Sequence, residues 1–79
     1  MKLMEAVSIR LFELLKERKW TAYYLSKRSG VDQATISDIK HQNNVGINLR
    51  LIYELSEGLE IDLATFFDSP LFRDDNIVD

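Results

Sequence analysis

Residues 21–40, TAYYLSKRSGVDQATISDIK, limit the possible folds of this chain more than any other segment. Four apolar residues in this segment are spaced so that two short crossing helices would bury them at their contact: Leu25, Val31, Ile36 and Ile39. Gly30 stands where the first helix must end, and glycine takes a positive φ without a Cβ penalty. Asp32 stands where the second helix needs an N-cap. The segment therefore predicts a helix-turn-helix, with helices over about 22–29 and 33–41.

The rest of the sequence predicts three more helices and no strand. Apolar residues recur at i, i+3 and i+4 spacing from about Met4 to Arg18, which predicts a first helix. Asn48 is a suitable N-cap for a fourth helix with Gly58 as its C-cap, and Asp62 for a short fifth helix over 63–67. We expect an all-α domain over residues 1–69. An acidic tail over 70–79, loose after the proline, should follow.

Composition excludes several classes of protein. The chain has 79 residues, of which 46% are hydrophobic and none is cysteine, so a small core forms without disulfides. No apolar run approaches the roughly 18 residues of a membrane span, which predicts a cytoplasmic protein. His41 is the only histidine and has no partner at metal-ligand spacing. With no phosphate-binding glycine motif and no nucleophilic set, we expect no metal, no cofactor and no enzymatic activity.

The overall charge argues against a nucleic-acid partner, but its distribution weakens that argument. The formal net charge is −3, whereas nucleic-acid-binding domains are usually basic. Residues 1–40 carry eight basic and five acidic side chains, a net of +3, and residues 41–79 carry two basic and eight acidic ones, a net of −6. The acidic excess thus lies outside the helix pair. Non-specific affinity for DNA should still be weak, because few phosphates can be neutralised.

Around these residues the chain resembles the phage-repressor/Cro-like (xenobiotic-response-element type) helix-turn-helix family of small bacterial DNA-binding regulators. The resemblance runs from about Arg10 to Phe67 and includes LFELLKERKW before the helix pair and NLRLIYELSEGLEIDLATFF after it. It implies a compact five-helix, lambda-repressor-like domain whose third helix enters the major groove of double-stranded DNA. The function it implies is sequence-specific DNA binding by a transcriptional regulator, most simply a repressor.

If the third helix lies in the major groove, its first turn and its solvent face one turn later meet the base edges. The candidates for base contact are Gln33, Ala34, Thr35, Ser37 and Asp38. Gln33 is the strongest of them, because a glutamine amide can bond the N6 and N7 of one adenine together. The resemblance also implies a base-reading residue at this position. The alternative is that the third helix is only a soluble surface.

Phosphate contacts are expected at the edges of the helix pair. The start of the second helix also offers free N–H groups and the positive end of the helix dipole. The candidates are Thr21, Tyr23, Lys40, His41 and Asn43. The sequence departs from its relatives at Ala22, where the family usually has a phosphate-clamping glutamine. It also has Leu15 and Lys40 where many relatives pair arginine with glutamate. Lys40 would then be free to face a phosphate.

The end of the predicted domain is unusually apolar. Phe66, Phe67, Leu71 and Phe72 either cover the core or form a two-fold interface, and we favour the interface. A homodimer would read a pseudo-palindromic operator whose half-sites lie about 34–36 Å apart. The competing hypothesis is a protein-interaction module, such as the antitoxin of a toxin–antitoxin pair, with weak or no DNA binding. The acidic second half of the chain, together with Ala22 and Asp38, motivates it.

Overall fold

The structure is a computed structural model that describes residues 1–42 and 47–79. Within these residues the chain forms five α-helices, one 3₁₀ turn and no strand. The elements are α1 (Leu3–Arg18), α2 (Ala22–Ser29), α3 (Gln33–Lys40), α4 (Leu49–Gly58), α5 (Leu63–Phe67) and the 3₁₀ turn (Pro70–Phe72). The prediction of an all-α, five-helix fold is confirmed.

Side-chain caps begin three of the helices. Thr21, Asn48 and Asp62 each accept a hydrogen bond from the backbone N–H three residues later, at 2.8 to 3.0 Å. These bonds satisfy donors that the first helical turn would otherwise leave unpaired. Asp32 stands at the N-cap position of α3, but its side chain makes no capping bond. The first turn of α3 therefore begins without a side-chain cap.

The cap of α5 makes the stability of the fold depend on pH. Hydrogen bonds from the side chain and the backbone N–H of Thr65 hold the pKa of Asp62 below its ordinary value. The stabilisation is present above the unfolded-state pKa and is lost as pH falls through the lower folded-state value. We expect the difference in unfolding free energy between wild type and Asp62→Asn, which cannot titrate, to change as pH falls below about 4. Urea unfolding at pH 7 and pH 3 measures it, and an unchanged difference would contradict this role.

One hydrophobic core joins the helices. α3 packs against α1 and α2, and α4 packs against α2 and α5. The four apolar residues that predicted the helix-turn-helix, Leu25, Val31, Ile36 and Ile39, are all buried. They join a cluster that continues into α1, α4 and α5, with Leu11, Leu55 and Phe66 completely buried. The helix pair is thus held on a rigid support rather than packed only against itself.

The two glycines at helix ends serve different purposes. Gly30 has φ +78° and ends α2 in the left-handed conformation, as predicted. The prediction that Gly58 caps α4 is wrong: it is the last residue of the helix, and the C-cap is Leu59, with φ −84°. A Cβ on Gly58 would lie 2.7 Å from the Cβ and 2.9 Å from the Cα of Ser29. Glycine is needed here because α4 and the end of α2 approach too closely for any side chain.

The aromatic residues after α4 pack within their own protomer. Phe66 is completely buried, and the half-buried rings of Phe67 and Phe72 lie 5.1 Å and 6.4 Å from it, centroid to centroid. Leu71 is also half buried. The assignment of Phe66 to a dimer interface is therefore wrong, because it has no surface left to offer. Phe66, Phe67 and Phe72 therefore pack on the core, and an interface through the exposed parts of Phe67, Leu71 and Phe72 stays a prediction.

The residues after Pro70 are also more ordered than the sequence suggests. The 3₁₀ turn contacts α1, and beyond it the N–H of Val78 donates to the carbonyl of Met1 at 2.8 Å. The N–H of Leu3 donates to the Asp79 carboxylate, also at 2.8 Å. Burial of Phe72 against the core fixes the turn, and the turn directs the acidic tail along the start of α1. The tail thus contacts the start of α1, where the sequence predicts only a loose extension.

Candidate nucleic-acid interface

The faces of α3 separate the predicted base-contacting residues. Consecutive helical residues point about 100° apart, so Gln33 and Ser37 share one face and Ala34 and Asp38 share the neighbouring one. Gln33 and Ala34 are exposed, while Ser37 and Asp38 are partly exposed. Thr35 is half buried and lies on the far side, next to the face that Ile36 and Ile39 bury. Four of the five candidates therefore form a continuous outward surface.

A cavity of about 430 Å³ lies where α1, the start of α2 and α3 meet. It is lined by Phe12, Leu15, Trp20, Thr21, Ala22, Gln33, Ser37, Lys40 and His41. The fold thus brings two base candidates, Gln33 and Ser37, beside three phosphate candidates, Thr21, Lys40 and His41. Tyr23, Ala34, Thr35 and Asp38 do not line it. Asn43 lies outside the described residues.

The inner wall of this cavity is apolar where relatives would carry polar groups. Leu15 is buried and packs in the core, and Ala22 offers only a methyl group at the first position of α2. An apolar contact at Leu15 stabilises the corner without the desolvation cost of a buried ion pair. The short side chain of Ala22 leaves the space next to the α2 N-terminus open.

Two lysines stand against exposed or partly exposed aromatic rings of this region. The Nζ of Lys40 lies 5.6 Å from the ring centroid of Phe12, and the Nζ of Lys27 lies 5.1 Å from that of Tyr23. Both distances fall within the range of cation–π contacts. The backbone carbonyl of Lys40 accepts a 3.4 Å bond from the Ser8 hydroxyl, which ties the end of α3 to α1. Both lysine residues are exposed to solvent.

The arginines of the basic half have structural roles that the sequence did not reveal. Arg10 donates from Nε to the carbonyl of Phe66 and from Nη2 to that of Thr65, both at 2.7 Å. Arg18 and Arg28 donate to carbonyls at the end of α4, at 3.1 Å and 3.3 Å. Cations at helix C-termini satisfy unpaired carbonyls and oppose the dipole. These three arginines therefore link helices through backbone carbonyls.

Trp20 sits between two of these arginines. The guanidinium carbons of Arg28 and Arg18 lie 5.1 Å and 5.8 Å from its ring centroid, and Tyr24 meets it edge-on at 4.8 Å. Arg28 also forms an ion pair with Glu60. The cluster fixes the corner between α1 and α2 to the end of α4. Trp20 lines the cavity together with Thr21 and Ala22, so the start of α2 lies beside α3 at this cavity.

A second concave region lies on another part of the described surface. A groove of about 560 Å³ is lined by side chains of both charges: Arg10, Glu13, Lys16, Glu17, Asp68, Ser69 and Pro70. Arg10 and Ser69 are already engaged with backbone groups. Within residues 1–42 and 47–79, no three His, Cys, Asp or Glu side chains are grouped to hold a metal ion. None of the described helices is long and apolar enough to cross a membrane.

Comparison with known proteins gives one family and one similar protein. The sequence model of the Cro/C1-type helix-turn-helix (HTH) DNA-binding domain matches residues 10–70. The wild-type restriction-modification controller protein C.Esp1396I has a similar structure, with a TM-score of 0.76 and 25% identity over 85% of this chain and 87% of that one. A tyrosine-to-phenylalanine mutant of the same protein gives 0.75 and 26% over 85% and 86%. No curated protein sequence gave a match.

Proposed function

This chain belongs to the Cro/C1-type helix-turn-helix DNA-binding family, and we propose that it represses transcription in the cytoplasm as a homodimer on a pseudo-palindromic operator. It is a sequence-specific DNA-binding regulator, and its family is one of regulators and not of enzymes. The similar protein C.Esp1396I is a controller protein, which supports a controlling role here. Repression is the simplest consequence of an occupied operator, because a bound dimer blocks access to an overlapping promoter.

One observation carries the detailed proposal: the α3 face with Gln33 opens onto the same cavity as Thr21 and Lys40. With α3 in the major groove, its exposed face meets base edges while the start of α2 meets the flanking backbone. We assign base contacts to Gln33, Ala34, Ser37 and Asp38, and leave out Thr35 because it lies on the far side of α3. Gln33 would pair with adenine, Ala34 would contact a thymine methyl, and Asp38 would accept from a cytosine amine.

The phosphate contacts would surround this surface. Thr21 and the first N–H groups of α2 meet one phosphate, supported by the positive end of the helix dipole. Tyr23, Lys40, His41 and Asn43 would contact others. We assign no phosphate to Arg10, Arg18 or Arg28, which already bond backbone carbonyls, so few phosphate contacts are assigned to each protomer. Two protomers on two half-sites would supply the contacts that one lacks.

Selection of genomic DNA fragments by the purified protein, at low and at near-physiological salt, tests the function. We expect enrichment of a pseudo-palindrome whose half-sites lie about one helical turn, 34–36 Å, apart. A single enriched half-site would support base reading and contradict the homodimer. No enrichment at either salt, from folded protein, would contradict base reading altogether and favour the protein-interaction module.

Gln33→Ala should relax specificity at one base position and leave the fold intact. Loss of a paired glutamine–adenine contact costs about 1–3 kcal/mol of discrimination, or about 5- to 150-fold in affinity. Binding to the selected operator and to operators substituted at each position measures it. Lys40→Ala is the matched control on the same face: it should weaken all sequences alike and reduce the salt slope by about one unit for each bound protomer. If Gln33→Ala binds every operator as wild type does, Gln33 is not a base contact.

A further inference from the structure

One face of α1 contacts the end of α3. Ser8 and Phe12 are four residues apart and so lie on the same face of α1, which packs against α3. The Ser8 hydroxyl is buried and donates to the backbone carbonyl of Lys40 at 3.4 Å. One turn later, the ring centroid of Phe12 lies 5.6 Å from the Nζ of Lys40. This face of α1 therefore meets both the backbone and the side chain of the last residue of α3.

The Phe12 ring is a fixed surface for that contact. The side chain is half buried and packs against the hydrophobic core. It also lines the cavity that Lys40 lines. Side chains packed in a protein interior keep defined rotamers, so the part of the ring that faces the cavity does not move freely. Lys40, in contrast, is exposed and has a long, flexible side chain.

No carboxylate in the described part of the chain pairs with the Lys40 ammonium. The ion pairs among residues 1–42 and 47–79 are Arg28–Glu60 and Arg50–Glu54, and residues 43–46 contain no Asp or Glu. A lysine ammonium has three N–H donors and no acceptor. While one side of the group faces the ring, the donors on its other side can reach a phosphate oxygen.

We propose that Phe12 is a positioning residue for DNA binding, whose ring holds the Lys40 ammonium at the cavity before DNA binds. The inference rests on the proposed phosphate contact of Lys40. Ordering a lysine side chain on binding costs free energy, because many rotamers become one. The ring contact already restricts those rotamers in the unbound protein, so less of this cost falls on DNA binding. In this role Phe12 acts through Lys40 and contacts no phosphate itself.

Replacing the ring should weaken DNA binding modestly. The contact can lower the ordering cost by no more than its own strength, and an exposed cation–π contact corresponds to about 2- to 5-fold in an equilibrium constant. Phe12→Leu removes the ring and keeps most of the apolar volume. We expect it to weaken binding to the selected operator by about 2- to 5-fold for each bound protomer. Phe12→Tyr keeps an aromatic ring and should bind as wild type does.

A double-mutant cycle on the full chain distinguishes positioning from packing. Lys40→Met removes the charge and keeps an unbranched side chain. If Phe12 acts through the ammonium, Phe12→Leu should have no further effect on affinity in the Lys40→Met protein. A role in packing alone would lower affinity by the same factor in both backgrounds. Titration of the operator with wild type, both single variants and the double variant measures the coupling, and circular dichroism checks that each is folded.

Nuclear magnetic resonance of the unbound protein provides a readout without DNA. The aromatic ring current should shift the Lys40 methylene next to Nζ, and Phe12→Leu should abolish that shift while Phe12→Tyr keeps it. A ring-dependent shift together with coupling in the cycle would support the proposal. Equal effects of Phe12→Leu in both backgrounds, tighter binding by Phe12→Leu, or a lysine signal that ignores the ring would overturn it.

The salt dependence of the same titrations separates the two claims. Lys40→Met should reduce the salt slope by about one unit for each bound protomer if Lys40 meets a phosphate. If the slope falls while the cycle shows no coupling, only the positioning role of Phe12 fails. If the slope is unchanged, the phosphate contact of Lys40 fails, and the positioning role fails with it.

Discussion

Phe66→Ala is expected to lower the free energy of unfolding by about 3–5 kcal/mol, the usual cost of truncating a buried phenylalanine. Phe66 is completely buried and is the largest side chain in the core that has no exposed surface. Its ring also contacts those of Phe67 and Phe72. Small domains have only about 5–15 kcal/mol of stability, so this loss takes a large share of it. Urea unfolding monitored by circular dichroism measures the change.

The same variant separates a core role from an interface role. If Phe66 stabilises the protomer, the loss of stability will be the same at low and at high protein concentration. Phe66→Leu is the matched control, since it keeps most of the apolar volume and should cost much less. A variant that unfolds like wild type when dilute and loses stability only where wild type dimerises would return Phe66 to the interface.

Gly58→Ala is expected to cost about 3 kcal/mol, at the upper end of the range for overpacking. The new methyl group would meet the Cβ of Ser29 at 2.7 Å and its Cα at 2.9 Å, and the backbone of α2 cannot rotate away as a side chain could. Alanine has the higher helix propensity, so without the contact the substitution would stabilise the helix. The contact with Ser29 therefore decides whether the substitution raises or lowers the free energy of unfolding. In a domain of this size the melting temperature should fall by roughly 12–24 °C, which thermal unfolding measures.

Asparagine substitutions provide the control for Gly58. Asparagine tolerates the left-handed conformation, and a Cβ at Gly30 would have no neighbour within 4 Å, so Gly30→Asn should be mild. Gly58→Asn should be at least as harmful as Gly58→Ala, because it meets the same atoms of Ser29. Adding Ser29→Gly to Gly58→Ala should restore part of the stability by removing one of them. If Gly30→Asn and Gly58→Asn lower the stability equally, backbone conformation, and not the close approach of Ser29, would explain the need for glycine at position 58.

The parts of the fold that depend on neighbours in sequence could be predicted. Thr21, Asn48 and Asp62 bond N–H groups three residues away, and such caps are visible in a short stretch of sequence. The positive φ of Gly30 follows from its place between two apolar segments. The buried set of the helix pair follows from helical spacing alone. For the same reason Gln33 and Ser37 could be assigned to one outward face before the structure was known.

The parts that depend on distant residues could not be predicted. Arg10, Arg18 and Arg28 bond carbonyls between 30 and 56 residues away, and nothing in their local sequence distinguishes them from surface cations. The close approach of Gly58 to Ser29 is equally non-local, so the glycine looked like a helix cap. The capping hydrogen bond predicted for Asp32 is absent, because residue type alone does not fix the orientation of a side chain. The sequence therefore contains no sign that these three arginines link distant parts of the chain.

Trp20 is the only tryptophan of the chain, and its position makes it an intrinsic fluorescent reporter. Arg18 and Arg28 flank the indole, and their contacts are lost when the chain unfolds. The same ring lines the cavity that Gln33 and Lys40 also line. DNA bound at this cavity would therefore change the surroundings of the indole while the fold stays intact. Emission at a single wavelength range can thus follow unfolding and DNA titration in unlabelled protein. The indole that the two arginines contact thus gives the molecule its own optical signal.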